Sequence, residues 1–457
     1  MQDLTKGPIS THIVRLAAPI AAGMIFQTMY YLVDLYFVAR LGETAIAGVA
    51  TAGNIQFIII ALTQVLGVGT MVLISHASGR KDRDDANLVY NQSLTMAAAC
   101  AAITLVAGFG LSRWYLASIS ADPAVLAAGL TYLYWFTPGM ALQFALVAMG
   151  SALRGTGIAK PTMVVQMATV VLNAVLAPVL IAGVGTGRPM GVAGAGLATS
   201  ISIVAGIVMM AIYFERLEKF VRFDAHQVRP RLGVWRRILR IGLPAGGEFG
   251  LMFLYMAVVY YTIRVFGAEA QAGFGIGGRV MQSVFLPAMA VAFATAPVAG
   301  QNFGAGLHDR VRKTFGSSVM IGTVLMLALM ILIQVEADWV VGFFTTDPGV
   351  VVIAVGFLHI ITWNFVASGV IFTCSSMFQA LGNTIPSLIS SGTRLLTFAI
   401  PALWLSTRPG FQIRQIWILS VATVGLQLIV SLLLLRRELR RRLAPPPSAL
   451  SPSPAGA

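Results

Sequence analysis

Twelve apolar runs, most of them near twenty residues long, leave few folds open to this chain. A helix rises 1.5 Å per residue, so about 20 apolar residues cross the roughly 30 Å hydrocarbon core of a bilayer. The runs fall near 14–38, 52–75, 92–112, 128–150, 163–184, 192–213, 240–266, 281–301, 317–336, 351–373, 388–406 and 414–435. They lack the period-two alternation of an outer-membrane barrel. Only 11% of residues are charged, against about 25% in a soluble domain. The expected fold is an all-α integral membrane protein with twelve transmembrane helices. Residues 1–11 are polar and the first run is long enough to span, so no cleaved signal peptide is expected.

The net charge of +14 is distributed by topology. If residue 1 is cytoplasmic, the cytoplasmic segments hold 23 Lys and Arg and the outside segments hold 7, with Arg394 inside a span. That bias predicts cytoplasmic N- and C-termini. The basic pI then needs no nucleic acid as partner, and RRELRRR at 436–442 reads as a topology anchor beside anionic lipid. Cys100 and Cys374 both lie in or beside apolar runs and imply neither a disulfide framework nor a metal site. The segment 444–457, rich in Pro, Ser and Ala, is expected to be disordered.

The chain repeats itself at an offset of 225. Pro19 matches Pro244, LGETAIAG at 41–48 matches FGAEAQAG at 266–273, and Trp114 matches Trp339. Asp122-Pro123 matches Asp347-Pro348, and Gly79 matches Gly304, after His76 and Gln301. RGTGIAKP at 154–161 matches QALGNTIP at 379–386. Copies of six spans keep the same orientation in the membrane, so they form two pseudo-symmetric six-helix bundles facing one another across a central cleft. The organisation is an N-terminal lobe (1–213), a cytoplasmic inter-lobe loop (214–239), a C-terminal lobe (240–435) and a basic, then Pro-rich tail (436–457). The GFGIGG at 273–278 lacks the preceding strand and following acid of a dinucleotide site, and its glycines serve helix packing or turns instead.

Asp34 sits within the first apolar run, where a charge costs about 2.5–3.5 kcal/mol on insertion scales. Gln27, Tyr30 or Tyr31, and Asp34 recur at helical spacing and make one polar face. A structural ion pair is one reading, but Arg40 is rotated about 240° away on the same helix. The other reading is a carboxylate that exchanges a proton or holds a cation in a wet cavity. The repeat places Val259 opposite Asp34, so the scaffold is duplicated but the acid is not. Glu248, four residues past Pro244, is a secondary candidate. It is either a coupling residue or an interfacial acid reaching Arg240 and Arg237. No cluster suited to intramembrane hydrolysis occurs, so no enzyme activity is expected.

The opening LTKGPISTHIVRLAAPI, the VDLYFVARLG segment with its Asp34, and the paired loops RGTGIAKP and QALGNTIP resemble the multidrug and toxic compound extrusion (MATE) transporters of the MOP flippase superfamily, over roughly residues 5–440. The resemblance implies export of organic, often cationic, compounds in exchange for H⁺ or Na⁺. It assigns Asp34, Asn173 and Thr199 to a polar coupling pocket in the first lobe and Pro19 to a proposed bend. Gln27, Tyr30 and Tyr31 are taken as cavity lining. Ala177 replaces an Asp found in many members, and Ser368 falls where the NorM-like branch has a helix-ten acid. These departures favour H⁺ over Na⁺. The expectation is a monomeric multidrug antiporter of the bacterial inner membrane, working by alternating access with no cofactor and no metal. A lipid-linked oligosaccharide flippase of related fold is the alternative, disfavoured because the spans hold few basic residues for a pyrophosphate.

Overall fold

The computed structural model describes residues 1–443; the side chains of Tyr31, Val33, Asp34 and Leu35 and all of residues 444–457, including the expected tail, lie outside the described set. The helices are α1 (Ile9–Ala39), α2 (Glu43–Arg80), α3 (Arg83–Ile119), α4 (Pro123–Gly155), α5 (Lys160–Ile181), α6 (Val192–Arg216), α7 (Leu232–Ile263), α8 (Ala268–Gly304), α9 (His308–Gly342), α10 (Pro348–Ile361), α11 (Phe365–Ala380), α12 (Ile385–Ser406) and α13 (Ile413–Arg442). A short 3₁₀ segment, Thr362–Asn364, divides one span into α10 and α11, so thirteen helices make twelve candidate spans. Gln334 of α9 donates to the His359 carbonyl at 2.9 Å, satisfying a group released near that break. Several helices run past their apolar segments: α7 starts at Leu232, and the basic run 436–442 forms the last two turns of α13.

The 225-residue repeat is visible bond by bond. Thr70 and Ser93 share a hydrogen bond of 2.8 Å, and their equivalents Thr295 and Ser318 share one of 2.7 Å. Asp122 caps α4 by accepting from the Ala124 amide, and Asp347 caps α10 by accepting from the Gly349 amide, each ahead of a proline at the first helical position. The register persists to the end: Ser420, Val424, Gln427, Ser431 and Leu435 of α13 are buried, as are their counterparts Ala195, Thr199, Ser202, Gly206 and Met210 of α6.

Each lobe has its own apolar core. The lobes meet at the end where α1 starts and α13 finishes, here called the basic end. There Val234, Ile238, Ile241 and Ala245 of α7 join the first lobe's core, and Ile13, Leu16 and Ala17 of α1 pack on Val291, Ala294 and Val298 of α8. Gly79 and Gly304 let α2 and α8 cross almost backbone to backbone: a Cβ at Gly79 would lie 2.0 Å from the Gln301 carbonyl oxygen, and one at Gly304 would lie 2.3 Å from that of His76.

Towards the opposite end this contact ends. A Cβ added at Gly53, Gly250 or Gly278 would meet nothing within 4 Å. Residues 65–75 of α2 are buried, whereas Phe57, Ile58 and Leu62 are exposed. Phe57 and Phe253, with ring centroids 5.1 Å apart, still touch across the lobes. The cleft between the lobes therefore opens away from the basic end.

Candidate functional site

In the first lobe, α1 packs beside α5 at a constant register. A Cβ at Gly23 would lie 2.4 Å from Gln166 Oε1, and one turn pair further Asn173 Nδ2 donates to the Tyr30 hydroxyl at 3.2 Å. Both contacts pair residues 143 apart. The same register sets helix position 34 level with Ala177, which is fully buried. Gly194 of α6 abuts Leu180 and Gly206 abuts Thr169. That antiparallel register sets Thr199 level with 173–177 of α5. Asn173 and Thr199 are buried, and Asn173 Oδ1 and Thr199 Oγ1 have no hydrogen-bond partner among the described residues. Two buried polar oxygens left open at one level are costly unless a proton, ion, water or ligand group completes them.

The sequence-predicted residues therefore sort as follows. Tyr30 and Asn173 are in direct contact, and Thr199 shares their level. Gln27 is half-buried on α1 and Pro19 lies inside the helix. Asp34 and Tyr31 are helical positions of α1 whose side chains are outside the described set.

The second lobe carries a different polar centre at the equivalent helix crossing. Glu248 Oε2 of α7 accepts from Ser375 of α11 at 2.9 Å and from Ser387 of α12 at 2.7 Å, and Oε1 accepts from Ser391 at 3.3 Å. The Ser387 and Ser375 hydroxyl oxygens lie 2.8 Å apart, and Gln427 of α13 donates to Ser391. Glu248 thus ties four helices together inside the lobe. Among the described residues no ion pair joins it to Arg240 or Arg237, the basic residues named for its interfacial reading, and Arg237 pairs with Asp85 at 3.0 Å. Further along α12, Arg394 lies over the Tyr255 ring at 4.4 Å, and Tyr255 bonds Ser420 at 2.8 Å.

The repeat makes the two centres comparable. Glu248 and Ser391 stand where the first lobe has Gly23 and Gln166, so the long polar side chain comes from opposite helices. Tyr255 and Phe398 stand where the first lobe has Tyr30 and Asn173, and there two rings meet at 4.6 Å in place of a hydrogen bond. The serines were missed from the sequence. Their signal was the small-polar spacing of Ser387, Ser390 and Ser391 on one face of α12.

Two six-helix membrane lobes around a one-sided cleft, each with an intramembrane polar centre, define a transporter rather than an enzyme. The MatE family model matches the chain twice, over residues 19–179 and 244–405, the two matches starting at Pro19 and Pro244. The chain belongs to the MatE family, the multidrug and toxic compound extrusion transporters. It is 26% identical to the probable multidrug resistance protein YoeA of Bacillus subtilis (strain 168), over 90% of both chains. It is 26% identical to the multidrug export protein MepA of Staphylococcus aureus (strain MRSA252), over 82% of this chain and 83% of that one. Among solved structures, an outward-facing multidrug resistance MATE family transporter of the MOP superfamily matches with a TM-score of 0.88 at 25% identity, covering 97% of this chain and 98% of the other.

Proposed function

We propose that this protein exports small lipophilic, mainly cationic organic compounds across the bacterial cytoplasmic membrane in exchange for H⁺, with Na⁺ as the less favoured coupling ion. The observation that carries the reading is the pair of open polar oxygens on Asn173 and Thr199, level with each other and next to the Tyr30 contact. Asp34 and Tyr30 lie on one helix face of α1 and one turn apart. Protonation at Asp34 changes which hydrogen bonds Asn173 and Thr199 make, and so changes the relative affinity of the two lobe arrangements for substrate. Ala177 supports H⁺ over Na⁺, because a second carboxylate at that level is what a bare cation would need. The basic end is cytoplasmic in this reading, so the cleft described above faces outward.

The cycle has four steps. In the outward-facing form Asp34 accepts a proton and substrate leaves. The protonated form turns inward. The proton passes to the cytoplasm, and a lipophilic cation binds the deprotonated form. The test is transport in inverted membrane vesicles at imposed ΔpH, with and without Na⁺, following ethidium accumulation and proton release for wild type and Asp34→Asn. Dye-driven proton release that requires Asp34 and ignores Na⁺ is expected. A folded Asp34→Asn protein that transports normally would overturn the assignment. Sodium dependence would change the ion, and a wild type that moves no organic cation would favour the flippase alternative.

A further inference from the structure

The repeat exposes a difference between the lobes at the basic end. In the first lobe, the crevice between α3 and α6 is covered by the inter-lobe segment. Val221 of that segment is fully buried in the same core as Tyr90 and Phe214, whose rings stack at 4.8 Å. Side-chain amides of α3 hold its backbone. Asn87 accepts from the Arg222 amide at 2.8 Å, Asn91 accepts from the Asp224 amide at 2.9 Å, and Gln92 accepts from the Arg231 amide at 2.7 Å.

The equivalent crevice of the second lobe lies between α9 and α13, and it is a groove of about 390 Å³. Phe315 and Leu439 replace Tyr90 and Phe214 in its wall, so the apolar lining is kept. The backbone-holding amides are gone: Arg312, Gly316 and Ser317 stand in place of Asn87, Asn91 and Gln92. Arg436 and Arg440 complete the rim, in place of Ala211 and Glu215. Arg312 has one exposed pairing, to Asp309 at 3.3 Å, while Arg436 and Arg440 have no acidic partner among the described residues. Glu438, the nearest acid in sequence, is committed to Arg442 and Asn383.

We propose that this groove is a binding site for an anionic phospholipid, with the phosphodiester held by Arg312, Arg436 and Arg440 and an acyl chain lying against Phe315, Leu432 and Leu439. Guanidinium groups pair with phosphate oxygens in planar, bidentate fashion, and a basic pocket between transmembrane helices at the membrane edge matches that headgroup chemistry. The charge argues against a peptide occupant. Residues 444–457 carry no acidic side chain, so that segment would leave the Arg436 and Arg440 guanidinium groups uncompensated. The apolar floor argues against a free anion, which has nothing to place there.

The test uses the purified full-length protein, delipidated in detergent and then given phosphatidylglycerol, phosphatidylcholine or inorganic phosphate, read by native mass spectrometry and Tm. Retained phosphatidylglycerol with a raised Tm is expected, and neither phosphatidylcholine nor phosphate should reproduce it. Arg436→Gln/Arg440→Gln should weaken phosphatidylglycerol retention by at least roughly tenfold. The charge-keeping pair Arg436→Lys/Arg440→Lys should retain most of it. Arg437→Gln/Arg441→Gln, on the same helix but off the groove wall, should bind normally. Equal losses from both glutamine pairs would overturn a specific site in favour of general surface charge. A Tm rise with phosphate alone would overturn the lipid as ligand, and binding that appears only after removal of residues 444–457 would assign the groove to that segment instead.

Discussion

His76 and Gln301 make the same bond twice. They stand 225 residues apart, at equivalent positions of α2 and α8. His76 Nε2 donates across the lobe boundary to the Ala380 carbonyl at 2.6 Å, and Gln301 Nε2 donates across it to the Gly155 carbonyl at 3.1 Å. Ala380 and Gly155 are themselves 225 apart, each the last residue of its helix. Each side chain therefore satisfies an orphan carbonyl at a helix end in the other lobe. The pair closes the basic end symmetrically, as two clasps related by the repeat axis. Gln301 does more, because its Oε1 also accepts from the Leu4 amide at 3.0 Å and so fastens the N-terminal segment to the seam.

His76→Ala and Gln301→Ala should each weaken this closure. One hydrogen bond is worth about 0.5–1.5 kcal/mol, with more lost when a buried partner is left unsatisfied. Gln301→Ala should cost more, because two interactions go with it. The measurement is the alkylation rate of a single cysteine at Leu66, a buried residue in the core that extends across the seam, in a background lacking Cys100 and Cys374. Faster labelling in both variants, fastest for Gln301→Ala, is expected. Unchanged labelling in both would mean that the bonds do not control closure.

The α2–α8 crossing sets a second prediction. Gly79→Ala and Gly304→Ala each place a methyl group well inside contact distance of a backbone carbonyl. Overpacking of this kind costs about 1–3 kcal/mol, and here it is paid only in the closed arrangement. Gly53→Ala, on the same α2 but facing open space, should be neutral or slightly stabilising, since Ala is the better helix former. Tm for the three variants checks the ordering; a Gly53→Ala protein as unstable as the other two would contradict the open cleft.

The polar centres predict a third result. Glu248→Ala removes the acceptor shared by three serines and should lower stability by about 1–3 kcal/mol. Glu248→Gln keeps most of the packing and one acceptor oxygen, and should lose less. If Glu248 only braces the four helices, transport by the folded Gln variant stays near wild type and its pH profile does not move. A shifted pH profile at unchanged Tm would instead make Glu248 a coupling residue alongside Asp34.

The fold was legible because the features that specify it are local and repeated. Apolar runs of membrane length give the spans, and the ungapped 225-residue offset gives two lobes. Pro19, Asp122 and Gly79 each have a counterpart doing the same job, and a sequence can show that. The site was only half legible. Asn173 and Tyr30 were each named from the sequence, but not their mutual hydrogen bond; and the serines around Glu248 come from two helices, α11 and α12, that meet a carboxylate from a third, which no spacing along one helix reports. The break at 362–364 was also hidden, since the apolar run crosses it unbroken. His76 and Gln301 were visible as partners in the alignment of the halves, yet their function depends on carbonyls of the opposite lobe.

Pro19 supplies the last prediction, because the packing of α1 changes around it. Before Pro19, residues Ile13, Leu16 and Ala17 are held against α8 of the second lobe. After it, Gly23 and Tyr30 pack on α5 of the first lobe. The proline has no N–H to return to the Arg15 carbonyl, so the helix is weakest where its allegiance passes from one lobe to the other. We propose that α1 bends here when the lobes rearrange. Pro19→Ala should restore the missing hydrogen bond and stiffen the helix, raising Tm while slowing substrate turnover, with a smaller effect on apparent substrate affinity. Turnover at the wild-type rate in a Pro19→Ala protein of raised Tm would show that α1 moves as a rigid rod.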